Sequence, residues 1–206
     1  MAGLRADARH NRDHILTAAR DAFIDQGVGT PLDEIAQRAG VAIATLRRRF
    51  ADRHALQRAV ALDVWARLIE ETERAGDEEP DAFGVLVRYM HRGLELRAGS
   101  LFPALAPDLD GEDDIARARE EAAGVLRTVV ATAHEEGTLR SDIDVGDIGL
   151  MLVRLGRSLA HLPRCGRGDR AASTRCAHRW TSSGAERESR QTPRPKALLP
   201  RAPEHR

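Results

Sequence analysis

The sequence predicts an all-α protein, with a small N-terminal helical unit followed by a larger helical body. Apolar residues recur at helical spacing along most of the first 162 positions. Glycines and prolines punctuate them where helices start and stop, and no segment alternates as a half-buried strand does. Aromatics are 3% of the chain against 42% hydrophobic residues, so the core must be built from Ala, Leu, Val and Ile. No long uncharged apolar run is present, which excludes a membrane span. Arg5, Asp7, Arg9 and Arg12 have no apolar stretch behind them, unlike a secretory signal. Cys165 and Cys176 are too few for a disulfide framework, and a cytoplasmic location is expected.

Taken in order, residues 9–26 put Ile15, Ala19, Ala22 and Phe23 on one stripe that Leu16 and Ala18 widen, and Gly27 stops the helix. Thr30 is placed to cap the next helix, with Pro31 in its first turn and Asp33 as a capping-box acid. Ile35, Ala36 and Ala39 face inward and Gly40 ends that helix. "VAIATLRRRF" is a second short helix. Asp52 caps a longer one whose Leu56, Val60, Val64 and Leu68 share a side. "AGDEEPD", residues 75–81, predicts a break. "AFGVLVRYMHRGLELRA" is helical despite Gly84 and Gly93. Residues 99–114 are expected to be broken by Gly99, Pro103, Pro107 and Gly111. "DIARAREEAAGVLRTVVATAHEEG" is a long helix ending at Gly137, and "VGDIGLMLVRLGRSLAHL" is helical to Leu162. From Pro163 apolar periodicity disappears. Residues 163–206 read as an irregular basic tail, either disordered or the product of a reading-frame slip near Pro163.

A net charge of zero hides an uneven distribution. Residues 1–60 carry ten arginines against seven acids, residues 61–162 eleven against twenty-one, and the tail eleven basic residues against four acids. An acidic middle repels polyphosphate, so contact with nucleic acid has to come from an end. The two short helices supply a device for it. Ala36 is small where they cross, Gly40 falls four residues later in the turn, and Val41, Leu46 and Ile35 fill the space beneath. That is the spacing of a helix-turn-helix over about residues 31–50. Its second helix would enter the major groove. Leu46 and Phe50 face inward, leaving Ala42, Ile43, Ala44, Thr45, Arg47, Arg48 and Arg49 outward or flanking. Small residues let the backbone approach. Thr45 bonds a phosphate or base, and the arginines divide between phosphates on both groove walls and a guanine edge. Arg53, at a helix N-terminus, and Thr30 are further phosphate candidates.

The segment "HILTAARDAFIDQGVGTPLDEIAQRAGVAIATLRRRFADRHALQRAV" closely resembles the DNA-binding domain of the tetracycline-repressor (TetR) family of bacterial transcriptional regulators. The first-helix apolar pattern, the Gly27 stop, "LDEIAQRAGV", "TL-RRF" and "DR-AL" carry the resemblance, over about residues 10–60. It implies a helix-turn-helix domain at residues 1–55 and an effector-binding and dimerisation domain at 56–162. It also implies a homodimeric repressor that leaves its double-stranded DNA operator when a small molecule binds. Arg47 departs from the Tyr usual after "TL", and His54 stands where an acid is commoner. The second of two dimer-forming helices expected at the C-terminus is replaced by the basic tail.

For the effector, Trp65, Tyr89, His91 and Arg97 are candidate cavity residues within the helical body. No glycine-rich phosphate loop, nucleophile elbow or metal motif appears, so neither an enzyme nor a cofactor is expected. His161, Cys165, Cys176 and His178 match no familiar zinc spacing. Two other readings stand beside the repressor. One is a helical interaction module acting through its basic tail, and the other is an all-α enzyme with no recognisable motif.

Overall fold

The computed structural model describes residues 2–159, with side chains over 11–156. The basic tail, with its proposed frame slip and its cysteines, lies outside the described residues, as does the helix expected from 160 to Leu162. All regular structure within them is α-helical. The order is α1 (Ala2–Asp25), α2 (Leu32–Arg38), α3 (Ile43–Arg49), α4 (Arg53–Glu78), α5 (Ala82–Glu95), α6 (Ala98–Leu109), α7 (Asp113–Glu135) and α8 (Val145–Leu159). Helix α1 reaches back to Ala2, beyond the start its apolar stripe suggests.

The N-terminal three helices close around Ile15, Leu16, Ala19, Phe23, Ile35 and Leu46, each at most 2% exposed. Helix α4 then runs through this unit into the body, with Leu56, Val60, Val64 and Leu68 all buried. The expected domain boundary at 55/56 thus falls within the first turn of a continuous helix. Around α4 pack α5, α6 and α7, and α8 crosses α5 and α6.

Two expected breaks are shorter than the sequence suggests, falling only at 79–81 and at 110–112. Helix α4 continues through Ala75 and Gly76 to Glu78 because its apolar stripe continues. Ala75 is fully buried, and buried Thr72 donates to the Leu68 carbonyl at 2.7 Å. Arg88 of α5 also grips Glu71, Glu78 and Glu79, tying the end of α4 to its neighbour. Asp81 then caps α5 by accepting from Gly84 N–H at 2.8 Å. Of residues 99–114, read as broken, 99–109 belong to helix α6 despite Pro103 and Pro107, and the break comes only at the left-handed Gly111 (φ +99°). Both prolines lie on the exposed side, while Leu101, Leu105 and Leu109 form a fully buried stripe. Burying each leucine contributes roughly 1.5–3 kcal/mol, the same order as the roughly 3 kcal/mol an interior proline costs.

Candidate functional site

The turn between α2 and α3 is a helix stop built on one glycine. Gly40 has φ +67°, Val41 N–H reaches back to the Ala36 carbonyl at 3.0 Å, and Gly40 N–H to Gln37 at 3.1 Å. This two-bond pattern satisfies the last carbonyls of α2 and needs a left-handed residue at that position. The chain thereby turns sharply enough for Leu46 (0% exposed) and Phe50 (6%) to anchor α3 on the core.

With those two anchors inward, the rest of α3 is displayed. Ala42, Ala44, Arg47, Arg48 and Arg49 are exposed, and Ile43 and Thr45 are half-buried. Asp52 caps the following helix, accepting from Ala55 N–H at 2.7 Å. This sets Arg53 at the start of α4, with its guanidinium over Gly29, where Nη1 would lie 3.7 Å from an added Cβ. Arg47, Arg48, Arg49 and Arg53 make no ion pair with any described residue. Other arginines are tied down: Arg38 pairs with Glu34 (3.3 Å), Arg58 with Asp114 (2.5 Å), Arg67 with Asp63 (2.7 Å) and Arg97 with Asp25 (2.6 Å). The four cations around α3 are therefore left for an external anion.

Thr30 is a correction. The N-cap of α2 is Pro31, whose side chain cannot bond, and Thr30 is 3% exposed. Its hydroxyl donates to the Gly27 carbonyl at 2.7 Å. The left-handed Gly27 (φ +96°) brings that carbonyl within reach, so Thr30 closes the α1–α2 turn and does not face outward.

The body holds a cleft of about 360 Å³ whose wall draws on α4 to α8. Trp65 and Tyr89 line it. His91 and Arg97 do not, which is a second correction. Two helical positions separate His91 from Tyr89, a turn of about 200°, so both cannot face one cavity. Arg97 is the left-handed residue (φ +54°) between α5 and α6, and its guanidinium is held by Asp25 of α1. Residues missed from sequence include Phe102, Asp110 and Arg119. The leucine spacing 101, 105, 109 was the available signal for α6, and the prolines masked it. Trp65 and Phe102 stack with ring centroids 3.9 Å apart and an interplanar angle of 12°. Burial raises the Tyr89 hydroxyl to about 12.

Helix α6 also grips the head at both ends. Arg97 holds Asp25 at its start. At its finish the Asp108 carboxylate accepts from Gln57 Nε2 at 2.9 Å, and the same amide reaches the Val28 carbonyl at 3.5 Å. His54 Nε2 lies 3.1 Å from the Asp108 carbonyl. Deeper in the seam, burial lowers the pKa of Arg20, which has Asp21 at 3.6 Å.

The family model for bacterial regulatory proteins of the tetR family matches residues 15–60. No curated protein matches the chain significantly. Among solved structures, a TetR transcription regulatory protein from Mycobacterium vanbaalenii is 35% identical, over 76% of this chain and 96% of that one, with a TM-score of 0.58. The TetR transcriptional regulator SCO0520 from Streptomyces coelicolor is 26% identical, over 82% and 92%, also with a TM-score of 0.58.

Proposed function

The chain belongs to the tetR family of bacterial regulatory proteins and is a DNA-binding transcriptional regulator, and from that premise we propose that it is an effector-released repressor. Residues 1–55 bind the operator, and residues 56–162 bind a small molecule and assemble a homodimer. It acts in the cytoplasm, where its DNA is, and has no catalytic role. The observation that carries the DNA face is the set of unpaired arginines around α3. Arg47, Arg48, Arg49 and Arg53 are charged and have no partner among the described residues, while Ala42 and Ala44 leave room for close backbone approach. Ile43, Thr45 and one arginine read base edges; the other arginines and Arg53 position the helix on phosphates.

The route from effector to operator runs through α6. That helix supplies Phe102, Leu105 and Ala106 to the cleft and touches the head through Asp25 at one end and His54 at the other, where Gln57 also bridges Asp108 to Val28. A molecule that fits the cleft better in one position of α6 than another biases the head by that difference in affinity. Dimerisation uses α8, where Leu150 is a large apolar side chain left 50% exposed.

The test is binding of the purified full chain to its own upstream DNA and to scrambled DNA at two salt concentrations, with mass in solution measured alongside. Selective, salt-sensitive binding by a dimer is expected. Equal affinity for both DNAs would remove the regulator's specificity from the α3 face.

A further inference from the structure

The cleft carries a chemical description of what it takes. Its deep wall is Leu68, Leu105 and Leu152, all buried and apolar. Among the described residues its two charged ones, Asp110 and Arg119, are both exposed, lie at the rim and oppose each other in sign. The Trp65 and Phe102 rings stack face to face, which leaves each ring one outer face. Tyr89 is 6% exposed, and its hydroxyl makes no hydrogen bond with a described residue. The hydroxyl is not among the fully buried unpartnered polar atoms, so it keeps some exposure and is free to donate to a ligand acceptor. The volume of about 360 Å³ is near the small end of ligand pockets, roughly 300–1,000 Å³.

Resting on the reading of this cleft as the effector site, we propose that the effector is an uncharged, flat molecule of two or three rings. It stacks on the outer face of the Trp65–Phe102 pair and presents a carbonyl or similar acceptor to the Tyr89 hydroxyl. A carboxylate against the deep wall would lose its water with no cation among the described residues to meet it there. At the rim, Asp110 offsets the attraction of Arg119. An acyclic chain fits the apolar wall, but it forgoes the stacking and loses more conformational freedom on binding.

The experiment uses the full chain carrying Trp180→Phe, which leaves Trp65 as the sole tryptophan. Three probes are titrated: 9-fluorenone, fluorene (the same shape without the carbonyl) and dodecanoate. Quenching of Trp65 fluorescence and release from upstream DNA are read together. Fluorenone is expected to quench and release. Fluorene should bind about fivefold more weakly, the size of one neutral hydrogen bond, and dodecanoate more weakly still. Tyr89→Phe should bring fluorenone down to the fluorene affinity and leave fluorene unchanged. Equal affinity for fluorenone and fluorene would overturn the role of Tyr89. Tighter binding by dodecanoate would overturn the ligand class while the effector cleft stands. Silence from all three probes would overturn both, since an open apolar cleft of this size should admit at least one of them.

Discussion

Adding one methyl group at Gly99 should loosen the body of this protein. Gly99 lies on α6 where it crosses α8. A Cβ built there would be 2.0 Å from the Leu152 carbonyl oxygen, 2.4 Å from its carbon and 2.8 Å from Val153 N. All three are backbone atoms of a helix, so no side chain can swing aside. The contact is reciprocal, because a Cβ on Gly156 would meet the Gly99 backbone at 3.3 Å. The two helices must therefore part by more than an ångström, opening the packing around Leu101 and Leu152. Overpacking of this kind costs roughly 1–3 kcal/mol, and a clash against rigid backbone belongs at the top of that range or above it. The gain in helix propensity from Gly to Ala returns about 0.8–1.0 kcal/mol. The net loss is then about 2 kcal/mol or more, equivalent to a fall in Tm of roughly 4–8 °C for a chain of this size. Gly124→Ala on α7 is the matched control. Its nearest neighbour would be Arg127 Nη2 at 3.7 Å, the end of a flexible side chain, so propensity should prevail and Tm should rise slightly. Thermal unfolding followed by far-UV circular dichroism reads both. If Gly99→Ala melts at or above the wild type, the α6–α8 crossing is not as close as described and the reasoning fails.

Three further outcomes are expected. Arg48→Ala and Thr45→Ala should each weaken binding to upstream DNA. An arginine that contacts one phosphate should, on removal, lower the slope of log affinity against log salt by about 0.9, and unchanged affinity in both variants would displace α3 from the groove. Tyr89 is the only tyrosine, so an ultraviolet absorbance titration isolates it, with a midpoint near 12 where an ordinary tyrosine shows 10.0. The unfolded chain ionises first. Stability is therefore whole below pH 10 and falls as pH rises through 12, by about 2–3 kcal/mol in total; pH-dependent urea denaturation should show this loss missing in Tyr89→Phe. Asp25→Ala removes the half-exposed partner of Arg97 and should lower Tm by no more than a few degrees, as surface pairs do. It should nonetheless raise the probe concentration needed for DNA release, and an unchanged release curve would remove Arg97–Asp25 from the coupling route.

The α2–α3 device was legible because its determinants are local. Ala36, Gly40, Leu46 and Phe50 lie within fifteen residues, and each acts through its own turn or its own face of a short helix. The same holds for the Asp52 cap and the display of Arg47 to Arg49. Thr30 misled because capping and turn closure use the same hydroxyl. The choice between them depended on where the left-handed Gly27 aimed its carbonyl.

In the body, local signals competed with burial and lost. Pro103 and Pro107 are helix breakers by their covalent chemistry, yet α6 persists because its leucine stripe has a core to enter. Nor does a sequence say that Trp65 meets Phe102, that Tyr89 shares a cleft with neither His91 nor Arg97, or that Arg97 finds Asp25 seventy-two positions away. By itself the sequence determined the helical class, the helix-turn-helix and the cationic face, since hydrophobic period, capping and charge act over a few residues. Only the tertiary structure decided the cleft, the place of Tyr89 in its wall and the grip of α6 on the head, since those depend on which distant faces are driven together to leave water.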